Sequence, residues 1–162
     1  MTIDLSKTLT ELEHDDWGED PKITGLISRC YKARKIPLKD MTVENIRLLI
    51  GQNISAEILV PLALGILQDE PLAMGDFYPG DLLVSVLRLP ASFWDQHPDL
   101  KQQLESQILA VLREADLDRM VAEMIYQYQN GTLPQQPAAP PARYTIQSEQ
   151  NPSAKKTPKR KR

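Results

Sequence analysis

The chain has 162 residues, of which 41% are hydrophobic, enough for the core of one domain. Its net charge of −3 conceals two segments of opposite sign, because residues 1–131 hold 12 basic and 21 acidic side chains whereas residues 132–162 hold 7 and 1. The acidic segment disfavours nucleic acid and favours basic partners, and Cys30, the single cysteine, excludes an intrachain disulfide or a thiolate metal cluster.

The first half of the chain predicts three helices. Apolar residues between Pro21 and Tyr31 follow the spacing of one helix face. Thr42 suits the cap of a second helix, "VENIRLLI", and Gly51 stands where that helix would end. The segment "SAEILVPLALGILQ" is apolar on nearly every side, so it is predicted as the central buried helix. Pro61 must either kink this helix or start its second half.

Prolines and glycines in residues 71–80 interrupt the helical pattern before "DLLVSVLRL" resumes it, with Asp81 as the expected cap. A long helix is expected over residues 98–114 and a last amphipathic helix over residues 117–129. The apolar stripe of the long helix is predicted to contain Leu100, Leu104, Ile108, Val111 and Leu112. No period-two alternation persists, so we predict an all-α fold, a compact multi-helix bundle around a kinked apolar central helix.

The composition changes at Thr132. Residues 132–162 contain six prolines, no hydrophobic periodicity and the basic run "KKTPKRKR". Such a composition is typical of disorder. We therefore divide the chain into a helical domain, residues 1–131, and a disordered, Pro-rich basic tail, residues 132–162. The basic run is suited to weak binding of phosphate without sequence preference, or to solvation alone.

The densest acidic cluster is "EHDDWGED", residues 13–20, which we name the acidic turn. Its spacing does not match a calcium-binding loop, and no second His or Cys lies at zinc-ligand distance in the sequence, so we expect no metal and no other cofactor. An acidic turn that faces solvent or a partner is the simpler interpretation. Trp17 in its middle suits either a core anchor or an interface anchor.

Catalysis has little support in the sequence. The only histidines are His14 and His97, and His97 precedes Pro98 at a helix start, where a cap is the expected role. Cys30 lies on an apolar helix face, as buried structural thiols do. No phosphate-binding loop or dinucleotide-binding motif is present. We expect a protein that is not an enzyme and has no small-molecule substrate.

Location is predicted from two features. The longest apolar run, "ILVPLALGIL", is about half of the roughly 20 residues that a membrane span needs. The first residues, "MTIDLSKTLTELEHDDW", carry acids early and have no continuous apolar core, unlike a secretory signal. We expect a cytoplasmic protein without membrane contact.

Several short segments, taken in order, resemble the immunity proteins of bacterial contact-dependent growth inhibition (CDI) systems. They are "DDWGE" at residues 15–19, "IPLKDMTVENIR" at 36–47, "LIGQNI" at 49–54, "LVPLAL" at 59–64, and "GDFYPGDLL" at 75–83 followed by "VLRLP" and "FW". The resemblance covers about residues 9–112. The last helix and the basic tail lie outside it.

The resemblance implies a mostly helical, non-catalytic cytoplasmic protein that binds and blocks the C-terminal toxin domain of its own cell's large surface effector. Toxins of these systems are often nucleases that cut tRNA or DNA, and such domains tend to be basic, in agreement with the acidic segment. Contacts that separate one toxin from another must differ between relatives, so the shared motifs are expected to belong to the scaffold.

Within "GDFYPGDLL", the glycines and proline are expected to form a bend and Asp81 to start the next helix. Phe77 is expected to pack onto this bend, whereas the hydroxyl of Tyr78 suits a wet interface rim. The residues predicted to contact a basic toxin are five acids and two aromatic anchors: Asp15, Asp16, Glu19, Asp20 and Asp76, with Trp17 and Tyr78.

One alternative is a helical protein-binding adaptor whose basic tail associates with nucleic acid. Deletion of residues 132–162 separates the two hypotheses, because the adaptor would lose a salt-sensitive nucleic-acid affinity and an immunity protein would keep its toxin binding. An enzymatic hypothesis rests only on the two histidines and the acids near them.

Overall fold

The computed structural model describes residues 2–134, and every regular element in this range is helical. The predicted all-α fold is therefore confirmed. The elements are α1 (Leu9–Glu13), α2 (Gly25–Ala33), a 3₁₀ turn (Leu38–Asp40), α3 (Val43–Gly51), α4 (Ala56–Asp69), α5 (Asp81–Leu87), α6 (Ala91–Gln96), α7 (Pro98–Gln103), a π-helical stretch (Leu104–Leu109), α8 (Ala110–Leu112) and α9 (Arg119–Gln129). Nearly all of the predicted tail, residues 135–162, lies outside the described residues.

Threonine caps begin the first three helices. Thr42 Oγ1 accepts a hydrogen bond from Asn45 N at 3.2 Å, and Asn45 Oδ1 accepts one from Thr42 N at 3.0 Å, which completes a capping box at α3. Thr8 forms the same arrangement with Glu11 at α1, and Thr24 caps α2. Each such cap stabilises its helix by about 1 kcal/mol. The predicted cap at Thr42 is confirmed.

Helices α4 and α5 form the centre of the core. α4 continues through Pro61, so this proline does not start a separate second half of the helix. The buried side of α4 packs against α3, α5 and the π-helical stretch. All 7 residues of α5 are buried, whereas α4 leaves exposed positions such as Glu57 and Gln68. The shorter helix is thus the more completely enclosed one.

The long helix that begins at Pro98 contains a π-helical stretch that the sequence did not reveal. A π turn closes its hydrogen bond over five residues instead of four, so it accommodates one extra residue and shifts the faces of the residues that follow. Leu109 consequently points into the core at 2% exposure, while Val111, predicted on the apolar stripe, is 61% exposed. The helix was predicted correctly and its stripe only in part.

Helix α9 closes the bundle by packing Val121 and Ile125 against α5. Leu133, beyond the predicted domain boundary, is also buried, and its N–H donates to Gln127 O at 3.2 Å. Among residues 2–134, no helix combines the length and the apolar character that crossing a membrane requires.

Candidate functional site

The acidic turn is held against α2 by Arg34, a side chain that is 2% exposed. Its guanidinium donates to Glu13 Oε2 at 2.5 Å, to Ser55 Oγ at 2.9 Å and to the backbone carbonyl of Asp15 at 2.9 Å. Such charge-assisted hydrogen bonds are stronger than neutral ones. Because one guanidinium donates to both Glu13 and Asp15, it restricts the backbone between them. Arg34 therefore fixes where the turn leaves α1.

Trp17 is half-buried and anchors the turn to the body. Its ring meets Tyr31 edge to face, with centroids 5.2 Å apart, and the Arg34 guanidinium lies 4.3 Å from the Trp17 ring centroid. Its Nε1 donates to Asp15 Oδ2 at 3.2 Å. Of the two roles that the sequence left open, the structure shows the anchor to the core, with part of the ring still accessible.

Two further carboxylates, those of Asp16 and Asp20, accept hydrogen bonds from the backbone. Asp16 Oδ1 accepts from Gly18 N at 2.8 Å, and Gly18 takes a left-handed conformation, φ 77°. Asp20 Oδ1 accepts from Lys22 N at 2.8 Å. Hydrogen bonds from the Ser28 side chain and then from Lys22 N lower the pKa of Asp20. Asp20 thus stays ionised at neutral pH.

Asp81 organises the second predicted region, the loop of residues 75–80, which we name the bend loop. Its carboxylate is 3% exposed and accepts from Gly75 N at 2.6 Å and from Phe77 N at 3.1 Å. The expected cap role is wrong: the N-cap of α5 is Gly80, and Asp81 is the first helical residue. Its side chain turns back into the loop because that loop exposes several N–H groups that need an acceptor.

Glu44 and Arg47 of α3 support the bend loop from the other side. Glu44 Oε2 accepts from Arg47 Nε at 2.6 Å and from Asp76 N at 2.9 Å. Arg47 Nε also lies 4.0 Å from Asp81 Oδ2. The hydrogen bond with Arg47 is the main reason that the pKa of Glu44 is lowered, and the same bond raises the pKa of Arg47. The loop is therefore fixed by two carboxylates and one guanidinium.

Of the two aromatic residues of the bend loop, Phe77 does not pack onto the bend as predicted, whereas the rim role of Tyr78 stays a prediction. Phe77 is 63% exposed, and the Arg47 guanidinium lies 4.6 Å from its ring centroid. Tyr78 is half-buried and packs against the core, and this burial, followed by the charge of Asp81, raises its pKa. Buried area alone does not decide which of two neighbouring aromatic rings faces inward.

The predicted contact residues fall into two groups. Asp15, Asp16, Glu19 and Asp20 surround Trp17 on the acidic turn, which packs on α2 and is exposed at Asp16 and Glu19. Asp76 and Tyr78 belong to the bend loop, supported by α3 and α5. Arg34, Glu44 and Arg47 hold these groups and were not predicted, although the spacing of Glu44 and Arg47 is a readable sign of an ion pair on one helix.

Two further expectations concern ligands and capping. Within residues 2–134, no group of three or more His, Cys, Asp and Glu side chains is arranged to hold a metal ion.

His97 stands at the N-cap of α7, but its side chain forms no capping hydrogen bond, so the predicted capping role of His97 is wrong. Its ring instead stacks on Phe93 at 4.6 Å between centroids, with Nε2 3.8 Å from Glu57 Oε1.

Comparison with known families agrees with the resemblance of the short segments. The family model described as CDI immunity proteins matches residues 11–104, more than half of the 162-residue chain. The matched range contains the whole acidic turn, Arg34, which holds it, and the whole bend loop. No curated protein and no solved structure matches the chain. The chain belongs to the family of CDI immunity proteins, whose function is immunity against a toxin.

Proposed function

We propose that this immunity protein binds a basic toxin domain, a nuclease, in the cytoplasm, and that the acidic turn makes the contact. The observation that carries the proposal is the acidic turn itself. From residue 8 to residue 21 the chain has six acidic side chains and no lysine or arginine. Residues 1–131 as a whole, with these six acids included, hold 21 acidic and 12 basic side chains.

The turn is suited to binding because the carboxylates of Asp15, Asp16 and Asp20 are oriented by hydrogen bonds and still have acceptor capacity, and because Glu19 is exposed. A carboxylate accepts about four hydrogen bonds through its two oxygens. Asp15 and Asp16 each use one oxygen within the turn, and Glu19 makes no hydrogen bond or ion pair among residues 2–134. Side chains held in place before binding lose less entropy when a partner arrives. Lysine and arginine side chains of a toxin fit this arrangement.

A nuclease is the toxin class that this charge favours. A surface that grips phosphates carries lysine and arginine, and attraction to phosphate supplies much of its affinity. Carboxylates of the acidic turn that bind those lysines and arginines compete with the nucleic acid. The protein would then block the toxin by covering the surface that binds its substrate, in the cytoplasm, where tRNA and DNA are found. Asp76, with an exposed side chain, and Tyr78 are proposed as contacts at a second edge.

The test compares two triple variants of equal net charge. In Asp16→Lys/Glu19→Lys/Asp20→Lys the acidic turn is reversed, and in Asp69→Lys/Glu70→Lys/Asp95→Lys three exposed acids elsewhere are reversed. An immunity gene is expected to lie directly downstream of the gene for its large effector. The partner is therefore the C-terminal domain of the effector encoded upstream, immobilised for kinetic measurement. We expect the first variant to associate at least about tenfold more slowly than the second, because local charge complementarity steers encounter.

Equal association rates for the two triple variants would remove the acidic turn from the interface. Because Asp16 and Asp20 also support the backbone of the turn, Glu19→Lys serves as a second variant that disturbs no hydrogen bond described here. It should slow association in the same direction. Deletion of residues 132–162 should leave toxin binding unchanged, whereas a salt-sensitive loss of nucleic-acid binding on deletion would favour the adaptor hypothesis.

A further inference from the structure

A groove of about 350 Å³ lies between α2, α3 and α5, and the bend loop forms one of its edges. Its charge contrasts with that of the body. Three arginines line it, one from α2, one from α3 and one from the C-terminal end of α5: Arg29, Arg47 and Arg88. The acid among its lining residues is Asp81, which is 3% exposed and already accepts hydrogen bonds from the bend loop.

Two of these arginines are available to a partner. Arg47 is bound to Glu44, but Arg29 and Arg88 are exposed and make no hydrogen bond or ion pair among residues 2–134. A guanidinium presents five donors in a planar fork that matches a carboxylate. The groove therefore offers two unoccupied cationic forks on an otherwise acidic surface.

The rim of the groove has the composition of a protein interface. Phe77 is 63% exposed and Leu26 is 38% exposed, and both line it beside the half-buried Tyr78. Aromatic residues and arginine are enriched at interface centres, where a few of them carry most of the binding energy. The carboxylates of Asp81 and Glu44 fix the backbone beneath Phe77, so this rim is in place before a partner arrives.

We infer that the arginine groove receives a carboxylate-bearing segment of the toxin domain, so that the toxin is held at two points of opposite charge. This inference rests on the proposed function and names a second contact for it. A nucleic acid is the poorer occupant, because a polyanion is repelled by the acidic body. An acidic side chain on a basic domain is not repelled in this way. Two contacts of opposite sign also fix the orientation of the toxin and exclude domains that lack the matching acid.

The test uses the full chain and a matched pair of double variants. Arg29→Glu/Arg88→Glu reverses the groove, and Arg113→Glu/Arg119→Glu reverses two exposed arginines elsewhere, with the same change in net charge. Calorimetric titration measures the affinity of each for the upstream-encoded toxin domain. We expect the groove variant to bind at least about tenfold more weakly than wild type, and the control to stay within about twofold of it or bind more tightly.

Equal affinity of the two double variants would overturn the inference and leave the proposed function standing. Absence of binding by the wild-type chain would overturn both. A single-stranded oligonucleotide serves as a second probe, and we expect only the weak, salt-sensitive binding that the basic tail supplies, equal in wild type and in both double variants. If wild type binds the oligonucleotide, the groove variant does not, and toxin affinity is unchanged, then the groove belongs to a nucleic acid and the inference is wrong.

Discussion

Arg34 and Asp81 are charged side chains that the fold almost fully encloses, and each holds a surface segment in place. Arg34 reaches partners that lie 19 to 21 residues away along the chain. Asp81 instead reaches back over 4 to 6 residues into the bend loop. The acids of the turn were visible in the sequence, but the cation that organises them was not, because hydrophobic periodicity does not locate a distant counterion.

Replacing Asp81 tests its role in the bend loop. Asp81→Ala leaves the N–H groups of Gly75 and Phe77 without their buried acceptor. We expect the free energy of unfolding to fall by about 2–3 kcal/mol, as for the loss of charge-assisted hydrogen bonds at a buried site. Urea denaturation measures this change. Asp95→Ala, at an exposed position, is the control and should change stability by less than about 0.5 kcal/mol. Similar values for both variants would contradict this account of the loop.

Cys30 gives a prediction about pH. The thiol is 1% exposed, and burial raises its pKa to about 11 from 9.0. Because the fold favours the neutral thiol, its contribution to stability is present below about pH 9 and is lost as pH rises toward 11. At pH 8 a thiol reagent should label the native chain at least about 100-fold more slowly than the unfolded chain, since reactivity follows the thiolate fraction. Equal labelling rates would show an accessible thiol.

At the scale of elements, the sequence predicted where the helices lie better than it predicted which side of each helix is buried. Caps such as Thr42 are local signals, and the structure confirms that one. The stripe of the long helix assumed a constant period of 3.6 residues, and the π-helical stretch breaks that assumption between Leu104 and Leu109. The enclosure of α5 also escaped the sequence, because it results from α3, α4 and α9 covering a short helix from several sides.

Single-residue deletions test the extra residue of the π-helical stretch. Deleting Ser106, which is exposed, should convert the stretch to α-helix while the residues after it keep their faces. We expect a change in unfolding free energy of less than about 1 kcal/mol. Deleting the exposed Gly65 from α4 is the matched control and should rotate Leu67 out of the core by about 100°. That deletion should lower stability by more than about 3 kcal/mol in thermal unfolding, and equal losses would refute the interpretation.

For the whole molecule, short ordered segments were sufficient to indicate the family, and the family match confirms it. The candidate site was predicted less completely, because Asp76 and Tyr78 belong to a loop supported by α3 and α5, and the acidic turn packs on α2. Sequence distance does not show which neighbour a loop will pack against. The same applies to the arginine groove, whose three cations come from three separate helical segments.

The most direct measurement of the central claim is growth of a sensitive bacterium that expresses the toxin domain encoded directly upstream. We expect growth to be restored by the wild-type chain and by the Asp69/Glu70/Asp95 control variant, but not by the variant with a reversed acidic turn. Rescue should be limited to the cognate domain. Failure of the wild-type chain to restore growth, with both proteins soluble and the domain shown to be toxic, would contradict immunity to this toxin. Full rescue by the reversed turn would contradict the proposed interface.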